Sequence, residues 1–175
     1  MRRLSGDHEV LEIDGGRLFA YRSVYFDTPD LRCFHDHVDG ERPRFKARTR
    51  HYCDTGVCHF EVKLKVATGE TDKRQIDHAP ARAEELTAQA RELLGATLRD
   101  AGVDVPPFLE PALRTSFDRI TIAARDNAAR LTCDLGELGC APVSLSKYRI
   151  GIDVLVERDR SGDADAIRPL FAVRD

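Results

Sequence analysis

The sequence predicts an α+β fold of six or seven antiparallel strands, with one long helix inserted among them. Several short segments alternate between charged and apolar residues, which is the pattern of strands that pack on one face only. Residues 80–101 differ, because leucine and alanine recur there every three or four positions, as on an amphipathic helix. A sheet with charge along one face must either curl that face around a polar tunnel or expose it to solvent.

Composition limits the kinds of protein that fit. The 175 residues suit a single domain covering 1–175, with a core at about 17–156. A net charge of −3 excludes a general polyanion-binding surface, so any basic site must be local. The chain has neither an apolar run of about 18 residues nor a signal-peptide pattern, and its five cysteines lack paired spacings. We therefore expect a cytoplasmic protein with free thiols and no membrane span.

The first predicted strand covers 17–27, which is rich in aromatic and β-branched residues, and 28–30 should turn the chain. Residues 31–40 predict a helical turn that carries His35 and His37. Two histidines one residue apart can ligate a metal ion. Surface histidines beside a turn are more often solvated, so we assign no metal site to this pair.

A basic hairpin follows, and the predicted sheet is organised around it. In residues 42–50 every second residue is cationic, so an extended chain places these side chains in one row, about 6.6 Å apart. Neighbouring charges in the row repel by about 2.5 kcal/mol at an effective dielectric of about 20. The next strand, 59–65, adds Lys63, Lys65 and a single carboxylate, Glu61, to the polar face. Such a face fits either the solvated outside of a hairpin or a site for a phosphate chain.

Further regions complete the predicted order of elements. Residues 69–77 predict a strand that turns Lys73 or Arg74 toward the same side as the hairpin cations. The helix is expected from Pro80 to Ala101. The remaining strands are expected at 113–122, 129–135 and 143–152.

Six short motifs resemble those of a known family and occur in the same order. They are Ser23-Val24-Tyr25-Phe26-Asp27-Thr28-Pro29, Arg48-x-Arg50-x-Tyr52, Phe60-Glu61-Val62-Lys63, Lys73-Arg74, Arg114-Thr115-Ser116-Phe117 and Ser146-Lys147-Tyr148-x-x-Gly151. With these motifs the chain resembles the VTC domain, the polyphosphate polymerase domain of the CYTH-like triphosphate tunnel metalloenzyme superfamily.

The resemblance implies an antiparallel β-tunnel that binds triphosphate or polyphosphate together with Mn²⁺ or Mg²⁺. It also implies transfer of the γ-phosphoryl group of ATP to a polyphosphate chain. The substrate-binding residues expected from it are Arg44, Lys46, Arg48, Arg50, Lys63, Lys65, Lys73, Arg114 and Lys147. The expected catalytic residues are Arg48, Arg50, Lys63 and Arg114, and the expected metal ligands are Glu61 and Asp134. A salt bridge to Arg48 or Lys63 is the simpler role for Glu61.

The chain departs from the family pattern in two places. No segment before Leu18 resembles the family's first strand. The family's Glu-bearing strand would lie between Asp134 and Ser144, where this chain has only 136–142, with Glu137 as its carboxylate. Because that strand carries the family's main metal ligand, two alternatives stand beside a polymerase. They are a triphosphatase of the same superfamily and a non-catalytic polyphosphate-binding module.

The expected partners are ATP and inorganic polyphosphate. Missing strands would leave sheet edges open to pairing with another copy of the chain, as a homo-oligomer. Nucleic acid is not expected, because the basic hairpin offers few exposed aromatic side chains on which bases could stack. Arg114, expected above to bind substrate, could equally form a salt bridge with Asp118 or Asp134.

Overall fold

The computed structural model describes residues 8–125, 129–135 and 154–158. Their elements, in chain order, are β1 (His8–Val10), β2 (Phe19–Asp27), α1 (Arg32–Val38), β3 (Arg44–Tyr52), β4 (Val57–Lys65), β5 (Thr71–Asp77), a 3₁₀ helix (Pro80–Arg82), α2 (Ala88–Asp100), β6 (Glu110–Ala124), β7 (Ala129–Leu135) and β8 (Val154–Arg158). The strands form one antiparallel sheet in the order β5-β4-β3-β2-β6-β7-β8, and β1 pairs with β6 outside that order. The sheet curls into a half-barrel, so the predicted α+β class with an incomplete tunnel is confirmed.

The core lies on the side of the sheet that α2 covers. The register places Phe45 opposite Leu64 and Ala47 opposite Val62, so these four side chains share one face. All four are buried in one core cluster with Leu94 of α2. Burying a side chain such as Leu or Phe contributes about 1.5–3 kcal/mol, so this packing determines which face of the sheet is apolar. The charged residues that alternate with them therefore point away from α2.

The long helix is shorter than the sequence pattern suggested. It begins at Ala88, whereas Pro80–Arg82 forms a separate 3₁₀ helix. The local reason is a cap at Thr87, whose side-chain oxygen accepts a hydrogen bond from the backbone N–H of Ala90 at 3.2 Å. Threonine in this position satisfies one of the free N–H groups at a helix start.

The helical turn expected at 31–40 is confirmed as α1, and a buried carboxylate holds it. Asp27 ends β2, and its side chain accepts hydrogen bonds from the backbone N–H groups of Thr28 (2.8 Å), Cys33 (2.8 Å) and Phe34 (3.0 Å). Two of these donors belong to the first turn of α1. Asp27 therefore fixes the path of the chain from β2 into α1, ahead of the basic strand β3.

The strand expected at 143–152 lies outside the described residues. A strand that the sequence pattern did not predict, β1, pairs with the end of β6 through three consecutive residues, His8–Val10. A three-residue strand carries too little alternation to be recognised from sequence alone.

Candidate functional site

The face of the sheet turned away from α2 carries the cations of three neighbouring strands, and we call it the cation face. Its basic members are Arg44, Lys46, Arg48, Arg50, Lys63, Lys65 and Lys73. All seven were predicted as substrate-binding residues, and the structure brings them to one surface. The alternating pattern of β3 and β4 explains this placement, because the apolar residues between the cations are buried in the core.

Three lysines lie directly opposite one another across this face. Lys46 of β3 pairs in register with Lys63 of β4, and Lys63 pairs in register with Lys73 of β5. Residues directly opposite in antiparallel strands have Cβ atoms about 4.5–5.5 Å apart, and like charges there are destabilising. The pKa of Lys46 is lowered, chiefly because the side chain is partly buried. The phenol of Tyr25 acts in the opposite direction, but the positive charges of Arg48 and Lys63 lower the pKa further. We call these three side chains the lysine ladder.

The cation face also contains one deeply buried carboxylate, Glu61, whose side chain is 2% exposed. Its Oε2 accepts hydrogen bonds from Arg48 Nε at 2.8 Å and is 2.7 Å from Arg48 Nη2. Its Oε1 lies 2.8 Å from Nζ of Lys73. Burial raises the pKa of Glu61, but the charge of Arg48 and the contact with Lys73 outweigh burial and hold the pKa below its ordinary value. Glu61 is therefore ionised at neutral pH. The salt bridge to Arg48 that the sequence left open is present.

Arg48 is fixed from a second side by a tyrosine. Its Nη1 donates a hydrogen bond of 2.9 Å to the hydroxyl of Tyr25, and its guanidinium carbon lies 5.6 Å from the centre of the Tyr25 ring. Burial raises the pKa of the Tyr25 phenol, but the charge and hydrogen bond of Arg48 outweigh it and lower the pKa overall. The Arg48 side chain is thus held by a carboxylate on β4 and a phenol on β2.

Arg50 of β3 and Arg119 of β6 extend the basic surface across β2, whose own side chains between them on this face are uncharged. Arg50 is 9% exposed, and its Nε donates a hydrogen bond of 3.1 Å to the hydroxyl of Ser23. The rings of Tyr21 and Phe117 stack with their centres 5.3 Å apart and an angle of 4° between their planes. The guanidinium carbon of Arg50 lies 5.6 and 5.8 Å from the two ring centres, and that of Arg119 lies 5.2 and 5.1 Å from them. All four distances fall in the range of cation–π contacts.

Sequence reasoning missed Arg119 as a site residue. It lies directly opposite Asp134 and forms a two-point ion pair with it, at 2.6 and 2.7 Å. Arg119 follows Phe117 by two residues and so shares its face of a regular strand, but the sequence pattern did not show on which side of the sheet that face lies. The hydrogen bonds that Arg119 donates to Asp134 also raise the pKa of Arg119.

Arg114 lies on the other face of the sheet, apart from the cations with which it was grouped. It is in register with Val24, a core residue, and both face the helix side. Its guanidinium pairs with Glu84 at 2.6 and 2.7 Å, so its partner is neither Asp118 nor Asp134. Arg114 also lines a cavity of about 440 Å³ on that side, together with Val24.

The two candidate cations of β5 also lie on different faces of the sheet. Lys73, in register with Lys63, faces the cation face, whereas Arg74 pairs with Asp72 at 3.0 Å and with Asp100 at 2.6 Å. Lys147 and Glu137, which the sequence analysis singled out, lie outside the described residues.

The two carboxylates expected to bind a divalent metal ion do not form a cluster of ligands in the described part of the chain. Among 8–125, 130–135 and the backbone of 154–158, no group of three His, Cys, Asp or Glu residues could hold a metal ion. The two expected ligands are already paired with basic side chains, Glu61 with Arg48 and Lys73, and Asp134 with Arg119. Their strands, β4 and β7, are four positions apart in the sheet, about 19 Å along its curved surface.

Comparisons with known proteins agree with this arrangement at the level of the family. The family model of the VTC domain matches residues 1–141 of the 175. The comparison with curated proteins gave no match. Within the part of the chain that the structure describes, no helix has the length and apolar character needed to cross a membrane. The chain belongs to the VTC domain family, which is associated with polyphosphate polymerase function.

Proposed function

We propose that the cation face binds a linear triphosphate or polyphosphate, and that the protein transfers the γ-phosphoryl group of ATP to the end of a polyphosphate chain. The observation that carries this proposal is the lysine ladder. The Cβ atoms of opposite lysines lie about 4.5–5.5 Å apart, so the register concentrates positive charge on one surface, where like charges repel one another until salt screens them. A multiply charged anion lying across the ladder would replace that repulsion with attraction.

The side chains around the ladder supply the two kinds of phosphate contact. Arginine donates paired hydrogen bonds to phosphate oxygens, whereas lysine acts as a compact point charge. Arg48 is held rigidly by Glu61 and Tyr25, so little conformational entropy is lost when it binds an anion. Arg50 and Arg119 would continue the contacts along the chain beyond the ladder.

Phosphoryl transfer needs mainly positioning and charge stabilisation from the protein. The terminal oxygen of the polyphosphate chain attacks the γ-phosphorus of ATP, the bond from that phosphorus to the bridging oxygen breaks, and ADP leaves. The attacking oxygen is already anionic, so the step requires no general base. The cations of the face would stabilise the charge that spreads over the transferred group and align the two phosphate chains.

One observation favours a second candidate, a polyphosphate-binding module without turnover. Both carboxylates expected to hold a metal ion are engaged by arginine or lysine, which leaves the described face suited to holding an anion. A triphosphatase of the same superfamily would use the same cations, so the residues alone do not distinguish it from a polymerase.

Incubation of the protein with ATP and Mn²⁺ or Mg²⁺ separates these candidates. Long chains on a polyacrylamide gel would support the polymerase, and release of free phosphate without chains would support the triphosphatase. Binding of tripolyphosphate in chelator, with neither product formed, would support the binding module. Absence of both binding and turnover would refute the proposal.

We also propose a cytoplasmic location. ATP is abundant there, and the reducing conditions suit the cysteines at 33, 53, 58 and 133, all of which are free thiols.

A further inference from the structure

We infer that Glu61 is a positioning residue, which fixes Arg48 and Lys73 on either side of the lysine ladder, and that it does not act as a ligand of a divalent metal ion. This inference rests on the proposed function, because it describes how the same face presents its cations to a phosphate chain. It replaces the metal-binding role that the family resemblance suggested for Glu61.

Both oxygens of Glu61 face a cation, although the contact of Oε1 with Lys73 is an ion pair without hydrogen-bond geometry. One oxygen receives two nitrogens of Arg48, and the other is 2.8 Å from the ammonium of Lys73. With only 2% of its side chain exposed, Glu61 has no open side from which a hydrated ion could approach. A metal ion would have to displace Lys73 or Arg48 and then sit among the remaining cations of the face. Coulomb repulsion opposes that exchange.

The same contacts explain what Glu61 does for its neighbours. Glu61 lies on β4, between Arg48 on β3 and Lys73 on β5, so it joins cations from the strands on both sides. The side chain of Lys73 is 45% exposed, and repulsion from Lys63 would drive it toward solvent. The contact with Glu61 keeps the ammonium close to the sheet. Removal of Glu61 should therefore release Lys73 from the surface that a phosphate chain would occupy.

The test measures how Glu61 and Lys73 are coupled in binding. Tripolyphosphate binding is followed by calorimetry, at one ionic strength, for wild type, Glu61→Gln, Lys73→Ala and the double variant. In chelator, we expect Lys73→Ala to weaken binding about fivefold in the wild-type background and less than about twofold when Glu61 is already Gln. Asp77→Asn is the matched control, because Asp77 is a 98% exposed carboxylate on the same face, with Oδ1 3.2 Å from Nδ1 of His59. In the Asp77→Asn background, the loss caused by Lys73→Ala should stay about fivefold.

The same titrations are repeated with Mn²⁺ in place of chelator. We expect the ratio of the two dissociation constants to be the same in wild type and in Glu61→Gln, whether or not Mn²⁺ strengthens binding. A Mn²⁺ effect that is present in wild type and Asp77→Asn but disappears in Glu61→Gln would overturn the inference. An equal loss from Lys73→Ala in all backgrounds would also overturn it. If wild type fails to bind tripolyphosphate at all, the proposed function itself is refuted, which is a different result from either of these.

Discussion

Arg50 and Arg119 lie on strands that are not neighbours, yet both place their guanidinium groups over the same stacked pair of aromatic rings. The rings belong to Tyr21 and Phe117, and they span the gap that β2 leaves between β3 and β6. The stack therefore makes one basic surface out of two groups of strands. It also suggests that a bound phosphate chain extends beyond the hairpin on which the sequence pattern concentrates its charge.

Arg119 gives the first prediction. Arg119→Ala should weaken tripolyphosphate binding about tenfold, because it removes a charge-assisted contact from the cation side of the sheet. Arg114→Ala is the control, since Arg114 also forms a two-point ion pair but on the opposite face. Calorimetry on both variants checks this. A larger loss in Arg114→Ala than in Arg119→Ala would place the binding site on the helix side.

The centre of the lysine ladder gives the second prediction. Lys63→Ala relieves repulsion on both sides, so at low ionic strength and without anion it should raise the melting temperature by about 2–4 °C. The gain should disappear in about 1 M salt, where the charges are screened. Arg91→Ala, which removes an exposed cation from α2, should not raise it. Thermal unfolding of the variants at the two salt concentrations measures these shifts. A fall in melting temperature for Lys63→Ala at low salt would show that the ladder is not under repulsion.

The third prediction concerns pH. The pKa of Glu61 is lowered in the folded protein, because Arg48 and Lys73 outweigh the effect of burial. A carboxyl group with a lowered pKa contributes stability above its unfolded pKa, about 4.3, and that contribution is lost as pH falls through the folded value. Wild type should therefore lose more of its free energy of unfolding between pH 6 and acid than Glu61→Gln does. Urea denaturation of the two proteins along a pH series measures the difference, and parallel curves would contradict the prediction.

Asp27 gives the fourth prediction. Asp27→Ala leaves backbone N–H groups at the start of α1 without a partner, and it should lower the free energy of unfolding by about 2–3 kcal/mol. Asp30 is an exposed carboxylate three residues along, so Asp30→Ala should change stability by no more than about 0.5 kcal/mol. Chemical denaturation of both variants gives the comparison. Equal effects would show that the buried contacts of Asp27 contribute nothing specific.

Much of the hairpin could be predicted from the sequence. Strict alternation over 42–50 and 59–65 predicted both strands, and β3 and β4 contain most of those residues. Burial of the intervening apolar residues then fixed the direction of every cation. The sequence left open whether Lys73 or Arg74 lies on the cation face. The pairing register of β4 and β5 decides for Lys73, and that register cannot be read from the sequence.

The site beyond β2 could not be predicted in the same way. β6 is fifteen residues long and mixes charged and apolar residues on both faces, so the pattern did not show which arginine belongs to the site. The positions of Arg114 and Arg119 differ by an odd number, so the two side chains lie on opposite faces of the strand. The partner of Arg114, Glu84, is 30 residues away in the chain, and only the folded structure brings the two together.

The most direct test of the central claim is calorimetric titration of tripolyphosphate into wild type and into a variant with Lys46→Ala, Lys63→Ala and Lys73→Ala combined. Arg48 and Arg50 suit the test less well, because Arg48 donates hydrogen bonds to two side chains and Arg50 is only 9% exposed. We predict that the folded triple variant binds at least about 100-fold more weakly, as loss of three charged contacts requires. An unchanged dissociation constant in that variant would contradict the account.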